Sequence, residues 1–560
     1  MIGSAYDRLY YLQVGRDAHI PPFTAHIKEK IMKTLYLKSN DKNSIQTAAD
    51  ILKNGGLVAI PTETVYGLAA NALDGEAVKN IFTAKGRPQD NPLIVHVASL
   101  EEIEPLVEKV DSRVYALAEK YWPGPLTVIM KKSALIPNEV SAGLDTVAIR
   151  MPSHECAREI IEKSGLPLAA PSANASGKPS PTKASHVIED LDGKIDAVVD
   201  GGECSVGVES TVVTLATEPP TLLRPGGITP EQLEDVLGAI QISPAVFEKL
   251  REGEKAESPG MKYKHYAPAA QVTIIKGSFE QYKKFLLAQK STVCAVCFEG
   301  EGKNFEKYIE YGKENDDISQ AHRIFDALRE VDAIGCDRAF VRCPISSGVG
   351  LAVYNRLLRS AAFRVIDLDI SIPVIGLTGQ TGSGKTTIGK ALAEKGCHIV
   401  DTDILARKAV ENPEVIGMLS ARFGNDIIKD GVLDRRELAR RAFATPEGTA
   451  ALSAITHPEI TRLAIEEIHA AEKNGAKAAV VDAALLFDSP LVAICDKNIS
   501  VVADEKIRLE RIMKRDSISE TDALLRINAQ PPTEYYIEKA DIIINNNPDS
   551  DFETQLEGLI

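Results

Sequence analysis

The chain has no run of about 18 consecutive apolar residues, which excludes a membrane-spanning helix. Its first residues lack the succession of basic, apolar and small residues that marks a secretory signal. Cysteine is thinly spread. The eight residues Cys156, Cys204, Cys294, Cys297, Cys336, Cys343, Cys397 and Cys495 lack the density of a disulfide scaffold. These absences lead us to expect a cytoplasmic protein with reduced thiols and no membrane partner. Positive charge is also in deficit, with 64 Lys+Arg against 79 Asp+Glu and a net charge of −15. Such a surface does not suit a protein that works by neutralising many nucleic-acid phosphates, so no stable nucleic-acid binding is expected. Small anionic substrates in local basic pockets remain compatible with it. Cys294 and Cys297 form one CxxC in a strand-like run, but zinc would require a second ligand pair at similar spacing, which is missing. We read the two as buried small apolar residues.

What is present is the composition of folded protein. Hydrophobic residues make up 44% and charged residues 26%, and 39 Gly and 30 Pro are dispersed along 560 residues. This excludes collagen-like, disordered and low-complexity classes. At roughly 100–200 residues per domain, three or four domains are expected. Residues 1–31 form an N-terminal extension without clear periodicity. From Ser44 helix-like and strand-like segments alternate: an amphipathic Ser44–Asn54, an apolar Gly56–Ile60, a helical Gly75–Lys85, then strands at Leu126–Lys131, Thr146–Arg150, Ala197–Val199 and Ser210–Leu215. That alternation predicts an α/β fold over residues 32–250. Residues 251–268 are polar, contain two prolines and read as a linker. A smaller α/β unit over residues 269–370 has strands near Gln271–Lys276, Thr292–Phe298, Ala333–Arg342 and Arg364–Ile370. The last domain occupies residues 371–560.

Its opening is informative. The strand-like Pro373–Thr378 runs into Gly379, Gln380, Thr381, Gly382, Ser383, Gly384, Lys385 and Thr386, followed by a helix from Thr387. This is GxxxxGK[ST] in its strand–loop–helix context. The glycines let backbone N–H groups converge on the phosphates of ATP, Lys385 reaches the β/γ-phosphates and Thr386 ligates Mg²⁺. A second strand, from His398, ends in Asp401-Thr-Asp403. There Asp403 is placed to accept a hydroxyl proton and Asp401 to support the site, while a helix N-cap is the plain alternative for either. The absence of an Asn/Thr-Lys-x-Asp guanine reader favours an ATP-using kinase over a GTPase switch.

These residues, with Arg407, Gly431–Arg436, Thr456-His-Pro458, Leu485-Leu-Phe487, Arg511–Asp516, Arg526, Gln530, Ala540-Asp541 and Asn545, resemble the dephospho-CoA kinase family over residues 373–547. The resemblance implies transfer of the γ-phosphoryl group of ATP to the ribose 3′-hydroxyl of dephospho-CoA, with Asp403 as base and Lys385 at the phosphates. Ala484 and Asp488 depart from the family's usual proline and glutamate there. Arg508, Arg511 and Arg515 share one helical face, as a basic lid over polyphosphate requires; a solvated face is the alternative.

The N-terminal segments combine Pro61-Thr-Glu-Thr64-Val-Tyr-Gly67, Lys85-Gly-Arg87, Asn91 and His96 with the loop Pro171–Thr182 and with donors at Thr146–Arg150, Glu209-Ser210-Thr211 and Leu223-Arg224. Cations and hydroxyls without an acidic pair in these segments suit a polyphosphate or an amino-acid carboxylate better than glycosidase-like acid/base work. Over about residues 38–240 they resemble threonylcarbamoyl-AMP synthase, the YrdC-type domain of tRNA modification. The linker and the small Rossmann-like unit, ending Gly348–Arg356, resemble that enzyme's long form. The resemblance implies that L-threonine, bicarbonate and ATP yield threonylcarbamoyl-AMP and pyrophosphate for downstream tRNA-modification machinery. It places Thr64, His96, Arg150, Ala170 and Ser210 around threonine. Lys85, Arg87, Asn91, Thr146, Ser172, Asn174, Ser180, Arg224 and Tyr263 would meet ATP, with Lys85 and Arg87 stabilising charge that grows at the α-phosphate. The linker would act as a lid. We therefore expect a bifunctional enzyme; the alternative is a kinase carrying a non-catalytic RNA-binding module.

Overall fold

In the computed structural model, which describes residues 33–249, 258, 268–289, 292–429 and 431–558, the alternating segments build three successive α/β sheets and a two-stranded ribbon. The helix Gly75–Lys85 and the strands Leu126–Lys131, Thr146–Arg150 and Gln271–Lys276 occupy the spans expected from the sequence. The first helix, Lys42–Lys53, begins ahead of Ser44 because the Asp41 carboxylate caps it, accepting from the amides of Asn43 and Ser44. The expected strand at Ala333–Arg342 is corrected. Asp317–Ile334 is an 18-residue helix, stopped by Gly335 at φ +68°, and only Arg338–Arg342 is extended. Ala333 and Ile334, the apolar start of that expected strand, belong instead to the last turn of the helix that buries Phe325, Leu328 and Val331.

The first sheet has 11 strands within residues 35–242. At its centre Ile94–His96 runs parallel to Thr146–Arg150, which pairs antiparallel with Leu126–Lys131; Thr211–Thr214 and Thr221–Arg224 follow. Side chains alternate between faces along each strand. Val95, Ile149, Val128, Val213 and Leu222 therefore share one face and pack with Val78, Ile81 and Phe82 of helix Gly75–Lys85. On the other face one register row sets His96 beside Arg150, Arg150 beside Thr127, Thr127 beside Val212 and Val212 beside Arg224. His96, Arg150 and Arg224 of this row line a cavity.

The second sheet is parallel throughout, in the order Tyr308–Glu310, Val293–Cys297, Arg338–Arg342, Gln271–Lys276, Val365–Asp367. Cys294 and Cys297 belong to core clusters on opposite faces of this sheet, so the CxxC is a pair of packing residues. Helices Asp317–Ile334 and Gly350–Ser360 bury Ile324, Phe325, Val353 and Leu357 in a cluster that also contains Val65 and Val208 from loops of the first sheet. The second unit thus packs against the cavity side of the first.

The third sheet, also parallel, runs His398–Asp401, Ala479–Asp482, Val374–Gly379, Lys497–Val502, Ile542–Asn545. The long helix Pro446–Lys473 brings Ile465 into the core of the second sheet's Ile275, Phe285 and Ile366. Lys284 Nζ donates to the Cys495 carbonyl at 3.0 Å across the same junction.

Candidate active sites

Helix Gly75–Lys85 starts on the Asp74 cap and ends at Gly86, whose φ of +64° turns the chain sharply. The turn leaves Lys85 as the last helical residue, buried, and its ammonium fastens the loop that follows Pro171. Nζ donates to the carbonyls of Ser172 and Asn174, the latter at 2.6 Å. Thr64, Lys85, Arg87, His96, Arg150, Ala170, Ser172, Asn174 and Arg224 line one cavity, joined by Thr62, Ile94, Ser176 and Glu209.

Burial sets the electrostatics. Removal from water, aided by the neighbouring charge of Arg87, brings Lys85 down to about 7. His96 falls to about 3, through burial and then the charge of Arg150, and is neutral. Arg150 lies 2.8 Å from Glu63, both less than 10% exposed. Burial would raise Glu63, but Arg150 outweighs it and holds the carboxyl below its ordinary value. Arg150 Nε has no hydrogen-bond partner among the described residues. Glu209 accepts from Ser180 Oγ at 2.6 Å and from Arg356 Nε at 2.8 Å. Against the cost of its burial, the charges of Arg356 and Arg224 bring Glu209 to about 2.

Four residues expected at the site lie off the cavity wall. Ser210 sits behind Arg224, its hydroxyl accepting from Nη2 at 3.0 Å, and Ser180 is taken up by Glu209. Asn91 is fully buried, and neither of its amide atoms has a hydrogen-bond partner among the described residues. Thr146 opens the strand that Arg150 ends, roughly 13 Å away at strand rise. Tyr263 and all of the linker except Ser258 and Pro268 lie outside the described residues. The expectation of no acidic pair is also corrected, since Glu63 and Glu209 stand in the very segments that were singled out. Each is neutralised by a buried arginine, so neither serves as an acid/base group. A lone glutamate among apolar and hydroxyl residues was the available signal.

In the third sheet, strand Val374–Gly379 leads into the phosphate loop and helix Lys385–Glu394. Gly384 has φ +92°, and a Cβ there would lie 1.9 Å from Asn546 Nδ2, so only glycine fits. Register sets Asp401 beside Asp482 at the sheet's C-terminal edge, where an α/β sheet receives its ligand. Lys385 Nζ binds the Asp482 carboxylate. Burial, reinforced by Asp401 and Asp403, holds Asp482 above its ordinary value despite that contact. Asp482 was missed, although the apolar run Ala478–Val481 before it carries the same signal that drew attention to Asp401. Asp401 is the N-cap of Thr402–Ala409, accepting from the amides of Asp403 and Ile404, whereas the Asp403 side chain is exposed. Thr386 and Thr387 are also exposed at the start of the helix. The lid reading of the arginines is corrected too. Arg508, 2% exposed, donates to Thr381 O at 3.2 Å, and Arg511 donates to Ser383 O at 3.2 Å, so both brace the loop from below. Arg515 pairs with Asp516 instead.

Residues 50–226 match the family described as telomere recombination, residues 228–362 the threonylcarbamoyl-AMP synthase C-terminal domain, and residues 373–551 dephospho-CoA kinase. The threonylcarbamoyl-AMP synthase of Pyrococcus abyssi is 47% identical over 330 residues, which is 58% of this chain and 95% of that protein. The chain belongs to the threonylcarbamoyl-AMP synthase family. The Bacillus subtilis synthase is similar at 46% identity over 337 residues, 59% of this chain and 96% of its own length. The remainder belongs to the dephospho-CoA kinases; that of Corynebacterium glutamicum is 41% identical over 175 residues, 31% of this chain and 88% of its own. The crystal structure of P. abyssi Sua5 complexed with L-threonine superposes with a TM-score of 0.56 at 44% identity, covering 60% of this chain and 99% of that one. The chain is thus a fusion that carries both ATP-using transferase activities, and these matches do not favour a merely RNA-binding N-terminal half.

Proposed function

We propose that the cavity on the first sheet is where L-threonine, bicarbonate and ATP react, and that the edge of the third sheet is where dephospho-CoA is phosphorylated. Residues 32–250 and 269–370 would form the synthase, residues 251–268 its lid, residues 371–560 the kinase, and residues 1–31 an extension. The observation that carries the reading is the single cavity on which Thr64, His96, Arg150 and Ala170 meet Lys85, Arg87, Ser172, Asn174 and Arg224.

In the synthase, Arg150 holds the threonine carboxylate beside neutral His96. The amine and bicarbonate condense to a carbamate with loss of water. A carbamate oxygen then attacks the α-phosphorus of ATP, the bond to the β-phosphate breaks and pyrophosphate leaves, while Lys85 and Arg87 stabilise the growing charge. In the kinase, Asp403 takes the proton of the ribose 3′-hydroxyl, whose oxygen attacks the γ-phosphorus as ADP departs. Lys385 shifts from Asp482 to the β/γ-phosphates.

Thr386 and Asp482 fit a Mg²⁺ ion. Asp482 is a partly buried carboxylate with Asp401 and Asp403 nearby and Lys385 as its paired cation. Such an ion would be held largely by phosphate and water oxygens. When bound, the ion neutralises polyphosphate charge. The product of the first site would serve downstream tRNA-modification machinery. Among the described residues no helix is long and apolar enough to cross a membrane.

The test is chromatography with mass spectrometry of nucleotide products from ATP and Mg²⁺, with threonine plus bicarbonate in one mixture and dephospho-CoA in the other. An adenylate adduct with pyrophosphate in the first and ADP with CoA in the second are expected. A first mixture without adduct would refute the assignment of the cavity.

A further inference from the structure

One arginine of the second sheet's domain contacts the wall of the synthase cavity from behind, through Glu209. Arg356, on helix Gly350–Ser360, is 0% exposed. Its Nε donates to Glu209 Oε2 at 2.8 Å, Nη1 to the Pro225 carbonyl at 2.7 Å and Nη2 to the Glu209 carbonyl at 3.3 Å. Each of the two segments it joins carries a cavity-lining group, Glu209 itself in one and Arg224, which precedes Pro225, in the other. Arg224 closes the ring from inside, with Nε donating to Ser210 O at 3.0 Å and Nη2 to Ser210 Oγ at 3.0 Å. The ring has no slack, because a Cβ on Gly226 would meet Thr211 N at 2.3 Å and Glu209 O at 2.5 Å. Both Glu209 side-chain oxygens are already engaged, one by Arg356 and the other by Ser180.

We propose that Arg356 is a positioning residue for the synthase reaction. It fixes Arg224 on Ser210 in the pose that meets ATP, and it saturates a carboxylate that would otherwise draw Arg224 away. This rests on the reading of the cavity as the ATP site. It gives the second domain a part in the first domain's chemistry: the guanidinium bridges three acceptors with one planar fork, which a point-charge ammonium cannot do.

The experiment uses the full-length chain and the variants Arg356→Lys, Arg356→Gln and Arg356→Gln/Glu209→Gln. Arg356→Lys keeps the charge opposite Glu209 and loses the fork. The KM for ATP is expected to rise roughly tenfold, the weight of one charge-assisted hydrogen bond, with kcat and the KM for threonine changing less than about threefold. The double variant is expected to recover part of the ATP affinity lost in Arg356→Gln, since no carboxylate is left to capture Arg224. Two readouts built into the chain separate folding from positioning. Trp122, the single tryptophan, is 9% exposed within the first sheet's core and reports the fold of that domain, and kinase turnover reports the third. An Arg356→Lys enzyme with intact Trp122 emission and unchanged ATP KM overturns the proposal, as does one whose only defect is a lower kcat from lost folded protein. If Arg356→Lys fails to fold, the double variant decides, and ATP affinity no better than in Arg356→Gln overturns the proposal. Wild-type protein that forms no adenylate at all overturns the cavity reading itself, and the positioning role with it.

Discussion

Lys85 offers a pH signature that follows from its burial. Desolvation and the nearby Arg87 lower it from 10.5 to about 7, so at neutral pH the ligand-free site is about half charged. ATP needs the charged form, so binding takes up a proton. The apparent dissociation constant then scales as one plus the ratio of neutral to charged Lys85: about twofold weaker at pH 7 than well below it, and about tenfold weaker at pH 8. The sign for stability is opposite. Below pH 7 the fold carries a buried ammonium, and this cost fades as pH rises from 7 towards 10.5, because the unfolded chain binds the extra proton there. Titration calorimetry of ATP in two buffers of different ionisation enthalpy measures the uptake, expected near half a proton per site at pH 7. Lys85→Arg keeps its charge throughout, and subtracting its signal removes the nucleotide's own titration. Equal buffer dependence in wild type and Lys85→Arg would refute the reasoning.

Three further outcomes are expected. Asp482→Asn lowers kinase kcat by about 10²–10³-fold with the synthase rate unchanged; a loss under tenfold in coupled ADP assays would remove Asp482 from the phosphate machinery. Glu63→Gln strands Arg150 in a site where both partners are less than 10% exposed and costs the first domain about 3–5 kcal/mol. Urea titration followed by Trp122 emission checks this, and a midpoint equal to wild type would contradict it. Gly384→Ala forces a side chain into a backbone at φ +92° and against Asn546, a left-handed strain of about 1–2 kcal/mol before any clash. A kinase KM for ATP within twofold of wild type would count against the loop geometry.

The sequence was most legible where local chemistry decides. Gly75–Lys85 has its Asp cap and its terminal glycine, and the phosphate loop is written in consecutive residues. It was least legible where partners come from far along the chain. Glu63 meets Arg150 across 87 positions and Glu209 meets Arg356 across 147, separations that no spacing rule reaches. Glu63 and Glu209 stand in the same motifs as the cations and hydroxyls, but which cation each carboxylate meets is set by the fold and not by its neighbours in sequence. Arg508 and Arg511 show the converse: their shared helical face was legible, but periodicity cannot tell a face turned to ligand from one turned under the loop that holds it. Ala333–Arg342 failed because an apolar helix end and an apolar strand start look alike until Gly335 is read as a stop.

The junction between the second and third sheets fixes a stoichiometry. Only residues 368–373 separate strand Val365–Asp367 from strand Val374–Gly379, and Ile465 lies in a common core with Phe285 and Leu368. The two catalysts are therefore dosed one to one for the lifetime of every molecule, and neither can be shed without baring oil to water. The middle domain, packed against the synthase's first domain on one side and the kinase on the other, is the keystone: a lesion that melts it is expected to withdraw both reactions together.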